Sequence, residues 1–261
     1  MTDKKREKGS SITRILEIVE AVSRAERPMS ATEVAFQLDI PKPSAHRLVQ
    51  QLEAEGFLQT NMRGHLQPGQ RLQEIALGVL HSNRFKAQRQ AILKHLAHQI
   101  GETCGIALPD GTEMIYYDRV QTNWPLQIHL PVGSRVPVWC SASGKLYLST
   151  LSKSQRNRVI QHLPLEKRAR NTLTDIDSLE QALRAIRKTD IGIDNEEFID
   201  GMVACSVPIR DNEGKLFACL FTHAPLIRKS LDELLTFEPL LRRAAGELAD
   251  MVASRQDALE Q

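Results

Sequence analysis

The stretch KPSAHRLVQQ, residues 42–51, concentrates side chains that give or share hydrogen bonds: Lys42, Ser44, His46, Arg47 and Gln50. Such side chains along one side of a helix suit base edges and phosphate oxygens. Arg63 follows in the run Asn61-Met62-Arg63-Gly64 and would sit at a loop tip. A second set, Cys205, His223 and Asp194, can be drawn as nucleophile, base and orienting acid. A third is a pair, His95 and His98, three apart and able to share a metal on a helix. No further ligand stands near that pair, so it reads as two surface histidines, with no metal and no cofactor expected. The chain has no G-x-S-x-G, no H-E-x-x-H and no phosphate-cradling glycine loop.

The elements that must hold the first set are legible. SSITRILEIVEAVSRAE places Ile12, Ile15, Leu16, Val19 and Val22 at helical spacing. The next helix opens with SATE, where Ser30 and Glu33 form a capping box that satisfies backbone donors otherwise without partners. Val34, Ala35 and Leu38 make its inner face. Asp39-Ile40-Pro41 is then a turn, because proline bars a continuing helix. The third helix starts near Lys42, with Pro43 in the first turn, where a missing N–H costs nothing. Ala45, Leu48, Val49 and Leu52 form its apolar face, and the polar set falls largely outside it. GFLQT and HLQP read as two short strands around the Asn61–Gly64 turn. Three helices, a tight turn and a hairpin make a winged helix-turn-helix, with Arg63 placed for the DNA backbone or minor groove. The plainer reading of the same segment is a protein-contact domain with solvated basic residues.

Composition sets the bounds. The chain has 261 residues, 41% apolar and 25% charged, with a formal net charge of +2, ordinary for a globular protein. Residues 1–65 hold ten lysines and arginines against nine acids, so any case for nucleic acid rests on where charges sit. No apolar run approaches a membrane span. The start, MTDKKREKGS, has no apolar run behind it and reads as a flexible basic tail rather than a signal peptide. Cys104, Cys140, Cys205 and Cys219 are scattered, without a C-x-x-C pair, which fits reduced thiols in a cytoplasmic protein.

Residues 70–102 read as helical almost throughout, with Gly78 and Ser82-Asn83 suggesting a bend or break. From Thr103 strands and turns dominate. TCGIALPDGTEMIYYDRV reads as a hairpin through Pro109-Asp110-Gly111, and PLQIHLPVGSRVPVW alternates apolar and polar residues. SASGKLYLSTL reads as a helix with small residues at its start, followed by helices near residues 152–161 and 178–188. IGIDNEEF, MVACSVPIRD and KLFACLFTHA supply further strands, and residues 231–255 read as one amphipathic helix. The fold class is α+β. The expected division is a tail over residues 1–10, a DNA-binding domain over 11–68, a linker helix over 69–84 and a second domain over 85–255.

The stretches IPKPSAHRLVQQLEAEGFL, LPVGSRVPVWCSASGKLYLSTL and DIGIDNEEFIDGMVACSVPIRDNEG resemble the IclR family of bacterial transcriptional regulators in order and spacing. The resemblance runs from about Ser11 to Val252. It implies an N-terminal winged helix-turn-helix, a C-terminal GAF-like effector-binding domain, and a dimer or tetramer. It also implies that Ala142 and Ser143 offer backbone N–H groups to an anionic effector, as helix N-termini do, and that Asp194 points an acidic side chain at it. Ile128, Val136 and Met202 match apolar wall positions. The plain readings of these residues are a packed helix end, a turn or cap, and ordinary core. Two departures stand out. Ala204 replaces a cysteine found in some members, with Cys205 one position later and so on the opposite face of a strand. Phe221 and His223 replace small hydroxyl residues, on one face by their period of two. Phe221 suits an aromatic ring and His223 a carboxylate, which suggests an aromatic or otherwise larger carboxylic acid; the alternative is a filled core with a satisfied histidine.

The resemblance therefore implies a ligand-responsive regulator on a palindromic double-stranded operator, with no membrane partner. The competing functions are a hydrolase-type enzyme using Cys205, and a DNA-binding protein whose second domain only oligomerises.

Overall fold

The computed structural model describes residues 11–25, 27–80 and 83–253; the expected basic tail over residues 1–10 lies outside them. The chain divides into two compact units between Asn83 and Arg84.

The first unit holds α1 (Ser11–Arg24), α2 (Ala31–Gln37), α3 (Lys42–Ala54), β1 (Leu58–Thr60), β2 (Leu66–Pro68) and α4 (Gln70–Leu80). Its core joins Ile18 and Val22 of α1, Val34 and Ala35 of α2, and Ala45, Leu48, Val49 and Leu52 of α3 to Leu58 and Leu66 of the hairpin. The capping box at α2 is formed: Ser30 Oγ accepts from Glu33 N–H at 3.2 Å, and Ser30 N–H donates to Glu33 Oε2 at 2.7 Å. That bond, with Ser30 Oγ and Arg27, holds the Glu33 carboxyl down at about 2. Asp39 ends α2 at φ 52°, in the left-handed region that aspartate tolerates better than most residues. Ile40 N–H then donates to Ala35 O at 2.9 Å and turns the chain into α3. Leu66 N–H donates to Met29 O at 2.7 Å, tying the hairpin to the α1–α2 connection.

The second unit begins with α5 (Asn83–Ile100) at its boundary; the expected break before it falls on residues 81 and 82, outside the described residues. Then come β3 (Thr103–Asp110), β4 (Glu113–Val120), β5 (Arg135–Pro137), α6 (Ala142–Thr150), α7 (Lys153–Ile160), α8 (Ile176–Thr189), β6 (Gly192–Asn195), β7 (Met202–Arg210), β8 (Leu216–Pro225), α9 (Leu231–Leu235) and α10 (Glu238–Ala253). Six strands form one antiparallel sheet in the order β5-β4-β3-β8-β7-β6. Both faces are covered. Cys205, Val207, Leu220 and Ala224 pack with residues of α5, α9 and α10. Cys219, Phe221 and Met114 pack with residues of α6, α7 and α8 on the other face. This is the α+β architecture expected from the sequence.

Two expectations are corrected. The alternation in PLQIHL does not make a strand: residues 121–134 form no ladder, and only Arg135–Pro137 pairs, with β4. Pro125 and Pro131 bracket the segment and donate nothing to a ladder; Leu126 is exposed, and Ile128 and Leu130 are half-buried without pairing to a strand. The C-terminal helix is two helices, α9 and α10. Pro239 bars a continuous helix and is accommodated in the first turn of α10.

Candidate functional site

The polar side of α3 is open. Lys42, His46, Arg47 and Gln50 are exposed and Ser44 is half-buried, while Ala45, Leu48, Val49 and Leu52 are buried. Residues 41–52 contain no aspartate or glutamate. Among the described residues the ion pairs of this unit are Arg27–Glu33 and Arg71–Glu55, so no carboxylate neutralises Lys42, Arg47 or Arg63. Arg47 only reaches Gln51 Oε1, one turn on, at 3.4 Å. Arg63 is exposed at the hairpin tip beside the exposed Met62, and Asn61 Oδ1 accepts from the backbone N–H groups of Arg63 and His65 at 2.9 and 3.1 Å to set that turn.

Asp194, Ala204, Phe221 and His223 meet on the α6 face of the sheet. Strand register aligns Asp194, Ala204, His223 and Thr103 in one row across β6, β7, β8 and β3. The adjacent row on that face is Gly192, Ser206, Phe221, Gly105 and Arg119, ending on β4. Met202 continues the face by alternation along β7 and is buried, as is Val136 of β5. Ile128 is half-buried in the loop after β4. Ala142 and Ser143 open α6 behind the N-cap Ser141, whose Oγ accepts from Gly144 N–H at 3.2 Å and donates to Pro137 O at 2.6 Å. Helix geometry leaves the Ala142 and Ser143 N–H groups without intrahelical acceptors. The helix start lies hard against β6: a Cβ on Gly192 would stand 2.0 Å from the Ala142 carbonyl oxygen.

The chemistry of this face lies in its unpartnered atoms. Among the described residues, Asp194 Oδ2, both ring nitrogens of His223, Arg119 Nε and Trp139 Nε1 are buried without a hydrogen-bond partner. Buried polar atoms are nearly always paired, and each one left bare costs about 1–3 kcal/mol. Burial pushes the Asp194 carboxyl up to about 7, although its Oδ1 accepts from the Glu197 and Phe198 N–H groups at 2.8 and 3.3 Å. Burial and the Arg119 charge push His223 down to about 3, so the ring is neutral at pH 7. Burial also raises the Tyr116 hydroxyl, which feels both Asp194 and Arg119. Close by, Lys145 of α6 forms a buried ion pair with Glu197.

Phe221 stacks on Tyr116 of the same chain, with ring centroids 4.3 Å apart, and lies 5.9 Å from the His223 ring. The period-of-two reading of Phe221 and His223 thus corresponds to one continuous ring column, and part of the aromatic surface of Phe221 is already occupied. Among the described residues no carboxylate bonds to either ring nitrogen of His223. Cys205 is on the opposite face: its Sγ meets Leu234 O at 3.9 Å, and burial pushes the thiol up to about 12. It cannot serve with His223 and Asp194 as a nucleophile. His95 and His98 are exposed on α5, and among the described residues no cluster could hold a metal ion.

Residues 11–61 match the IclR helix-turn-helix domain, and residues 77–250 match the bacterial transcriptional regulator IclR C-terminal domain. The chain belongs to the IclR family. It is a DNA-binding transcriptional regulator and not an enzyme. A relative named "Probable transcriptional regulator SauR", from Cupriavidus necator, is 36% identical over 92% of this chain and 95% of its own length. The "Transcriptional repressor IclR" of Escherichia coli K12 is 28% identical over 91% of this chain and 88% of its own. Among solved structures, a double mutant of the PobR inducer-binding domain from Acinetobacter, in complex with 3-hydroxybenzoic acid, is 28% identical. It covers 61% of this chain and 94% of its own length, with a TM-score of 0.58.

Within this IclR-family fold, the residue that sequence reading missed is Arg119. Asp118 and Arg119 are adjacent and look like a local pair. Strand alternation sends them apart: Asp118 goes to Arg89 at 2.7 Å, and Arg119 goes to the α6 face. There its guanidinium donates to the carbonyls of Leu130 and Ile128, the latter at 3.5 Å, and meets no carboxylate among the described residues. The usable signal was a cation inside the apolar strand pattern MIYYDRV, where a buried charge calls for a counterion.

Proposed function

We propose that this IclR-family regulator binds a palindromic operator as a dimer or tetramer, in the cytoplasm, and that a small carboxylic acid on the α6 face changes that binding. Lys42, Ser44, His46, Arg47, Gln50 and Arg63 are the proposed DNA contacts. The observation that carries the DNA contacts is the exposed polar side of α3 over residues 42–52, which holds no acid and whose cations form no ion pair among the described residues. Two such helices on adjacent half-sites would stand about 34–36 Å apart. For the effector, support comes from the cluster of unpartnered polar atoms and from the buried, carboxylate-free guanidinium of Arg119. Asp194, Ala142, Ser143, Ala204, Phe221, His223, Val136, Met202 and Ile128 are its proposed surroundings. An aromatic acid is favoured because the ring column of Tyr116, Phe221 and His223 borders the unpartnered atoms, and the PobR domain binds such an acid. An effector acts only through different affinity for the regulator's arrangements.

The test is a gel-shift titration on DNA flanking the gene, at stated salt concentrations. Arg47→Ala is expected to weaken specific binding at least tenfold and to lower the salt slope by about one, with the fold intact by circular dichroism. Operator affinity equal to wild type would remove Arg47 from the interface.

A further inference from the structure

Arg119 and Asp194 stand far apart on one sheet face, Asp194 on the edge strand and Arg119 four strands away. Their strands, β4 and β6, are separated by β3, β8 and β7, which puts the two backbones about 19 Å apart at ordinary strand spacing. The Arg119 guanidinium is held by the Leu130 and Ile128 carbonyls, and its charge reaches the His223 ring on β8, part of the way across. Tyr116 feels the charges of both residues, so both lie in electrostatic reach of one ring. Between them lie the stacked rings of Phe221 and His223 and the small side chain of Ala204. Each end is nine-tenths or more buried, and each shows an unpartnered polar atom. The ends differ in chemistry. Arg119 Nε is a donor on a fixed cation. Asp194 Oδ2 is an acceptor whenever the carboxyl is ionised. A ligand with an acid at one end only would satisfy Arg119 and leave Asp194 bare.

We propose that Arg119 receives the acid head of the effector and Asp194 receives a hydrogen-bond donor at its other end, so the effector class is a two-ended acid. A hydroxylated carboxylic acid with a flat spacer lying along the ring column fits this description. Arg119 thereby becomes a binding residue, and Asp194 fixes specificity for the second polar group. The inference rests on the reading that the α6 face binds a carboxylic acid.

The experiment is titration calorimetry on the full chain at one salt concentration. The probes are benzoate, 3-hydroxybenzoate, 4-hydroxybenzoate and 4-hydroxybenzamide, with propionate, 3-hydroxypropionate and succinate as aliphatic counterparts. In the wild type, at least one two-ended acid is expected to bind tenfold or more tighter than its one-ended parent. The benzamide, which keeps the shape without the charge, is expected to bind at least tenfold more weakly than 4-hydroxybenzoate. Arg119→Gln should remove the preference for acid over amide, and Asp194→Ala should remove the preference for a second polar group while acids still bind. Equal binding of acid and amide by the wild type overturns the Arg119 role without needing a folded variant. Equal binding of one-ended and two-ended acids overturns the Asp194 role and leaves the carboxylic acid reading standing. A wild type that binds no acid overturns both.

Discussion

Asp194 and His223 share one row of the sheet, with Ala204 between them, and burial moves them in opposite senses: the carboxyl is held up at about 7 and the imidazole down at about 3. Both are thus driven toward the neutral form. The folded state holds the Asp194 proton more tightly than the unfolded chain does. Its contribution to stability is therefore present near pH 4 and lost as pH rises through 7. His223 has the other sign: the unfolded ring takes up a proton below its ordinary value near 6.5 while the folded ring does not, so stability is gained as pH rises from 3 to 6.5. Asp194→Asn removes the first dependence and keeps the second. Between pH 6 and pH 8 the variant should gain about 1 kcal/mol relative to wild type, or roughly 2–4 °C in melting temperature. Melting curves at the two pH values check this, and a gap that does not move would place the Asp194 titration outside that range.

At the scale of elements, the seat of α6 on β6 decides the geometry of the proposed site. Gly192 is where the strand passes the helix start, with no room for a side chain. The buried Lys145–Glu197 pair joins the same two regions. Gly192→Ala must push α6 away from the strand. Overpacking of that kind costs about 1–3 kcal/mol. The variant should melt several degrees lower and lose its response to acids, while its operator affinity without ligand stays near wild type. Retained acid binding would detach the α6 N-terminus from the site. This contact is not readable from local sequence, because IGIDNEEF shows a strand but not what passes over it. The capping box at Ser30 is readable, since both partners lie within one turn.

The whole molecule carries separate cores on the two sides of the Asn83–Arg84 boundary. Each unit owns its apolar interior, so each is expected to unfold as its own cooperative step. Leu48→Ala empties part of the first core and Leu220→Ala part of the second, each at about 2–5 kcal/mol. Scanning calorimetry of the full chain should show Leu48→Ala lowering one transition and Leu220→Ala the other. A single transition that both variants shift would mean the units fold as one. Family membership was legible at this scale, because three motifs recur in order along nearly the whole chain. The proposed effector residues were legible only in part: Asp194, Phe221 and His223 do share a face, but the ring that stacks on Phe221 is the chain's own Tyr116.

The sequence by itself determined the winged helix-turn-helix, the exposed set on α3 and the class of the second unit. Caps, prolines and apolar periods act within one or two turns of chain, so their consequences can be read locally. Only the tertiary structure decided that residues 126–130 form no strand, that Asp118 and Arg119 part company, and that unpartnered atoms gather on one face. Those outcomes depend on the strand order β4-β3-β8-β7-β6, which brings positions as distant as 119 and 223 together. A polar group is satisfied or left bare by neighbours that the linear chain does not name.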